Sequence, residues 1–158
     1  GYVLGHCDEM DFLEALKEKT GVTVENEELR EIILKNFIIR PWFPEIIRKL
    51  REQGLINCIL SDQSDWLDKL NERDNFYQLF DHIFNSFYMG KSKSDPQLFV
   101  EIAAKLKLKP EEILFVDDYH GHIERAKKKG FNTHLFIDEA EFLDDLNNYF
   151  SFDSREKN

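Results

Sequence analysis

From Pro44 onward the chain alternates between amphipathic stretches and short apolar runs, and few folds accept that rhythm. "EIIRKLREQG" has helical spacing and closes on Gly54, and "INCIL" follows as a run of strand length. "HIFNSFY" is a second strand candidate, and "DPQLFVEIAAKL" is a helix with Pro96 in its first turn, where proline is tolerated. "ILFV" reads as a buried strand, "HIERAKKKG" as a helix stopped by Gly130, and "THLFI" as a last strand before the closing helix "EAEFLDDLNNYF". Strands that alternate with helices join through right-handed crossovers into a mostly parallel sheet with helices on both faces. The expected class is therefore α/β.

Ahead of this rhythm lie two segments of helical periodicity. In "DEMDFLEALKEKTG" the residues Met10, Phe12, Leu13 and Leu16 share a face, with Gly21 as a stop. In "ENEELREIILKNF" the residues Leu29, Ile32, Ile33 and Phe37 repeat the pattern. "RPWFPE" then breaks the chain, because two prolines three residues apart forbid one continuous helix. The expected division is a small helical piece over 1–40, an α/β core over 41–150 and a frayed tail over 151–158.

Composition narrows the partners. The 158 residues carry a net charge of -10, and the only basic run, Lys127 to Lys129, is too short to track a phosphate backbone. Nucleic acid is not an expected partner. No apolar stretch approaches the roughly 20 residues that span a bilayer, and no leader segment is visible. Cys7 and Cys58 lie far apart, and Cys58 sits in an apolar run, so both read as reduced thiols in a cytoplasmic setting. The aromatic group Phe76, Tyr77, Phe80 and Phe84 reads as core.

In parallel sheets, functional groups gather beyond the carboxyl ends of the strands. That rule selects Ser61 and Asp62 after "INCIL", Asp117 and Asp118 after "ILFV", and the "GKSKSDP" loop with Lys91 and Lys93. Two adjacent carboxylates after a buried strand repel unless a cation lies beside them, and hard oxygen donors suit magnesium. The bland alternative is a helix N-terminus capped by Asp118, which explains one carboxylate but not two. "GKS" at Gly90 is no P-loop, since Asn85 stands where that motif requires glycine. Zinc is not expected either: His120 and His122 diverge at a spacing of two, with no third ligand beside them. His6, His82 and His134 have no partner legible in the sequence and read as structural.

"CILSDQS" ending a strand at Ser61, then "GKSKSDPQLF" with Lys93, then "FVDD" ending a strand, resembles the haloacid dehalogenase-like hydrolase superfamily in its second, third and fourth motifs. Ser94 replaces the first proline of the family's lysine motif, and the resemblance runs from about Tyr2 to Phe150. It implies a Rossmann-like core and, from "YVLGHCDEMDFLEALKEKTG", part of a helical cap of the phosphatase branch. Ser61 would donate to a phosphate oxygen, with Asp62 beside it at the substrate. Lys93 would neutralise the nucleophile and the transferring phosphoryl group. Asp118 would bind magnesium directly, and Asp117 would hold one of its waters. Tyr119 and His122 depart from the pattern, since related phosphatases often carry Asn at those positions.

The family's nucleophile is the first aspartate of a D-x-D motif that ends the first strand. No D-x-D occurs here: Asp8 and Asp11 of "CDEMD" have the wrong spacing and no strand before them. The expected function is thus that of a magnesium-dependent phosphatase of small phosphorylated metabolites whose aspartyl nucleophile is missing from these residues. A core without that strand would also carry unpaired strand edges. The alternatives are a non-catalytic binding relative or inactive fragment and, more remotely, a metal-free haloacid dehalogenase.

Overall fold

The computed structural model describes residues 1–150, so the expected tail lies outside the described residues. The chain divides into two compact units, Gly1–Ser92 and the part from Lys93 onward.

In the first unit, helix α1 (Glu9–Thr20) starts at a reciprocal cap: the Asp8 carboxylate accepts from the Asp11 amide at 2.9 Å, and Asp11 accepts from the Asp8 amide. The helix ends where Gly21 takes φ 74°, a left-handed conformation that glycine adopts without strain. Helix α2 (Asn26–Leu34) follows, and then helix α3 (Phe43–Glu52), whose first turn holds Pro44. The break expected at "RPWFPE" thus falls between Leu34 and Phe43, and the second proline opens a helix.

Strand β1 (Cys58–Ser61) pairs in parallel with β2 (His82–Asn85), from Cys58 opposite His82 to Ser61 opposite Asn85. Between them runs α4 (Trp66–Asp74), which buries Trp66, Leu67 and Leu70. Its periodicity is hidden behind the polar "SDQSD", and it starts without a side-chain cap. A core cluster joins Tyr2, Leu13, Leu29, Leu34, Trp66 and Leu70. The four aromatics expected in the core are half-buried; Phe76 packs on this cluster and Phe80 on Phe43.

The strand expected over "HIFNSFY" stops at Asn85, and Ser86–Met89 form a single helical turn, α5. Asn85 is the cause. Its side chain accepts from the Phe87 amide at 3.2 Å and donates to the Ser64 carbonyl at 2.9 Å, so it caps the turn as it ends the strand.

In the second unit, α6 (Pro96–Leu106) is capped by Asp95, which accepts from the Gln97 amide at 2.9 Å. Strand β3 (Leu114–Asp117) pairs in parallel with β4 (Asn132–Leu135), and α7 (His120–Lys128) connects them. Helix α8 (Glu139–Phe150) completes the described chain. Leu98 and Phe99 are fully buried, and Phe99 meets Phe115 and Phe131 edge-on with centroids 5.2 and 5.7 Å apart. The chain is α/β with parallel strand pairs of the Rossmann-like kind. Among the described residues each of the four strands has one strand partner, so the expected sheet is represented by two pairs.

Candidate active site

Strand β3 delivers its last residue, Asp117, into a cluster of donors. The Lys93 ammonium donates to Oδ2 at 2.6 Å, and the Tyr119 amide donates to Oδ1 at 2.8 Å. His122 Nδ1 lies 3.1 Å from the same Oδ1. The side chains of Asp117 and Lys93 are 6% and 12% exposed, so this is a largely desolvated ion pair. Burial alone would raise the Asp117 carboxyl, but the Lys93 ammonium, the Tyr119 amide and His122 outweigh it and hold the group below the ordinary carboxylate value.

Asp118, the next residue, is exposed and has no hydrogen bond or ion pair within the described residues. The two adjacent carboxylates are therefore unlike: one is committed to the protein, the other is free. The capping explanation fails for both, because the N-cap of α7 is Tyr119 and no side chain caps that helix. A carboxylate at a strand end with open coordination sites fits magnesium, which keeps several waters and needs only one or two protein carboxylates. Among the described residues no three His, Cys, Asp or Glu side chains converge, so there is no closed protein cage. Asp118 would hold the ion directly. Asp117, with both oxygens engaged, suits a role through water.

Of the residues expected in the site, Lys93 and Asp117 are brought together, with Asp118 adjacent in the chain. Ser61 is the last residue of β1, and Asp62 opens the loop 62–64 that follows it. Both thus occupy the strand-end position that the topology rule selected.

The sequence offers His122 as a departure from the family pattern and as half of a divergent histidine pair; the structure makes it a partner of Asp117. The signal lies in the helix: α7 begins at His120, so its first turn carries His122 back over the end of β3. The Tyr119 ring meets the His122 ring edge-on at 4.8 Å and lies over Gly121, where a Cβ would sit 2.6 Å from a ring carbon. A side chain at that position would push the exposed Tyr119 ring aside. His120 points elsewhere, exposed and 4.0 Å from Glu124, so the two histidines do diverge. His134 is a correction: it has a partner, with Nδ1 2.7 Å from Asp145 Oδ2 on α8. Sequence separation hid that pair.

The family described as haloacid dehalogenase-like hydrolase matches residues 5–130. The bifunctional epoxide hydrolase 2 of Rattus norvegicus is 32% identical over 104 residues, covering 61% of this chain. The chain spans only 18% of that relative's length. A HAD-like family hydrolase from Porphyromonas gingivalis superimposes with a TM-score of 0.80 at 23% identity, over 99% of this chain and 78% of the other. A HAD family enzyme from Bacteroides thetaiotaomicron, solved as an Asp-to-Ala mutant with magnesium and inorganic phosphate, gives 0.77 at 20% identity, over 90% and 75%. Among the described residues no helix is long and apolar enough to cross a membrane.

Proposed function

The chain belongs to the haloacid dehalogenase-like hydrolase family, and on that premise we propose that its site serves magnesium-dependent hydrolysis of small phosphate monoesters. The observation that carries the reading is the unequal carboxylate pair at the end of β3, Asp117 clamped by Lys93 at 2.6 Å and Asp118 free. Phosphoryl transfer is mostly positioning and charge stabilisation. Magnesium bound at Asp118 would supply positive charge to the phosphoryl oxygens. Lys93, held by Asp117, presents an ammonium fixed in direction. That the B. thetaiotaomicron relative holds magnesium and phosphate supports the same ligands here. The metal-free dehalogenase reading is opposed by charge: an uncompensated Asp118 would repel an anionic haloacid.

A second reading rests on a specific observation, the lack of any D-x-D motif in the sequence. In that reading the chain binds magnesium and a phosphorylated ligand without turning it over. The two separate in one experiment. Hydrolysis of an aryl phosphate by the 158-residue chain, with and without magnesium, is compared with the Asp118→Asn variant. The phosphatase reading expects metal-dependent turnover that Asp118→Asn abolishes. Turnover no greater than that of the variant, together with calorimetric magnesium binding that the variant loses, would establish the binding protein instead.

A further inference from the structure

The two oxygens of Asp117 are held unequally. On Oδ2 stands the Lys93 ammonium, at the end of a flexible stem that can follow the carboxylate as it turns. On Oδ1 stand two donors, the Tyr119 amide at 2.8 Å and His122 Nδ1 at 3.1 Å. The Tyr119 amide lies only two residues along the chain, so it ties the carboxylate to its own loop. His122 is different in kind. It is a short, rigid side chain carried by α7, only 15% exposed, with its ring edge-on to the Tyr119 ring at 4.8 Å. Asp117 is held ionised, and a carboxylate only accepts, so the imidazole donates from Nδ1.

We infer that His122 is the positioning residue of this site: its Nδ1–H fixes the plane of the Asp117 carboxylate and, through Oδ2, the direction of the Lys93 ammonium. A lysine alone cannot set that direction, because its stem adapts to wherever the carboxylate faces. A partner on the opposite oxygen can, since the two oxygens share one plane. On the phosphatase reading, on which the metal side of this inference rests, the same plane would aim Asp117 at a magnesium-bound water. The competing role for His122 is packing against Tyr119, and the two roles need different parts of the side chain. His122→Phe keeps an aromatic ring beside Tyr119 and removes the donor. His122→Asn removes the ring and keeps an N–H as many bonds from the backbone as Nδ1 is.

The first readout is the ¹H–¹⁵N signal of the Lys93 ammonium, assigned by its absence in Lys93→Arg. It is expected to be sharp in the unaltered chain and in His122→Asn, and broadened by exchange with water in His122→Phe. The second is magnesium affinity by calorimetry. His122→Phe should weaken it roughly fivefold and His122→Asn less than about twofold, under the 10–100-fold typical of partners that touch a metal ligand directly, because Asp117 would meet the ion through water. If His122→Phe keeps the signal and the affinity while His122→Asn loses them, the residue serves packing and the inference is overturned. Two variants alike in both readouts would overturn it too, as would a Lys93 signal already broad in the unaltered chain. A chain that binds no magnesium, yet loses the Lys93 signal in His122→Phe and keeps it in His122→Asn, would remove the metal reading and leave the positioning role standing.

Discussion

The two strand pairs are built alike and used differently. β1–β2 and β3–β4 are both four-residue parallel pairs in residue-for-residue register. Around β1 every residue is only half-buried, and the first unit draws its core from helices, with Leu13, Leu29, Trp66 and Leu70 at its centre. Around β3 the core is attached to the strand itself, through Phe115 packed on Phe99. Their carboxyl ends differ in the same sense. β1 ends in a hydroxyl and a polar loop, whereas β3 ends in a desolvated ion pair. A strand that must aim a buried charge needs a rigid floor, and the edge-on phenylalanines beneath β3 provide one.

The largest expected effect tests that floor. Phe99→Ala removes a fully buried ring and should cost the second unit about 3–5 kcal/mol by urea denaturation. Amide exchange should accelerate from Lys93 onward more than in β1 and β2. Equal acceleration in both strand pairs would break the contrast between them.

Next is the ion pair. Lys93→Met leaves Asp117 buried with only the Tyr119 amide and His122 beside it. The loss should be roughly 2–3 kcal/mol, below the 3–5 typical of removing one member of a buried pair, because those two donors remain. Restoration of stability in the Lys93→Met, Asp117→Asn double variant, measured by the same denaturation, would assign the loss to the unpaired charge.

The smallest effect is a difference in pH response. Asp117 has a depressed carboxyl, so its contribution is present above the ordinary carboxylate pKa and is lost as pH falls through the lower folded value. In the first unit burial, with Asp81 nearby, pushes the Cys58 thiol up to about 11. A raised acid gives the opposite sign: its contribution is present below the ordinary thiol pKa and is lost as pH rises toward 11. Acid should therefore loosen the β3 end first, and alkali the β1 strand. Iodoacetamide labelling at pH 8.5 followed by mass spectrometry should modify Cys58 several-fold more slowly than a free cysteine in a model peptide. Labelling at the peptide rate would remove the alkaline half of the contrast.

Much of the site was legible because strand ends in parallel sheets are places of known consequence. A run such as "ILFVDD" states both the strand and the groups that leave it, and its neighbours in the sequence carry the motif order. His122 was not legible as a partner of Asp117, since nothing in a residue type says which way the first turn of a helix will carry it. The His134–Asp145 pair was hidden by a separation of eleven residues along the chain. The over-long strand at "HIFNSFY" failed for a local reason: apolar residues continue past Asn85, but the Asn85 side chain offers the Phe87 amide a better partner than a ladder would.

What the sequence determined, then, were periodicities and adjacencies: most of the helices, where each strand lies, and that Asp117 and Asp118 leave one strand together. Those follow from hydrophobic spacing and chain connectivity, which are local. The tertiary structure alone decided which carboxylate is spent and which is free, because that depends on Lys93 arriving from 24 residues away. It also decided that Tyr2 and Trp66 pack edge-on in the core of the first unit with their polar ends turned to Asp65 and Glu9. Burial and hydrogen-bond direction are properties of packed neighbours, and no residue carries them alone.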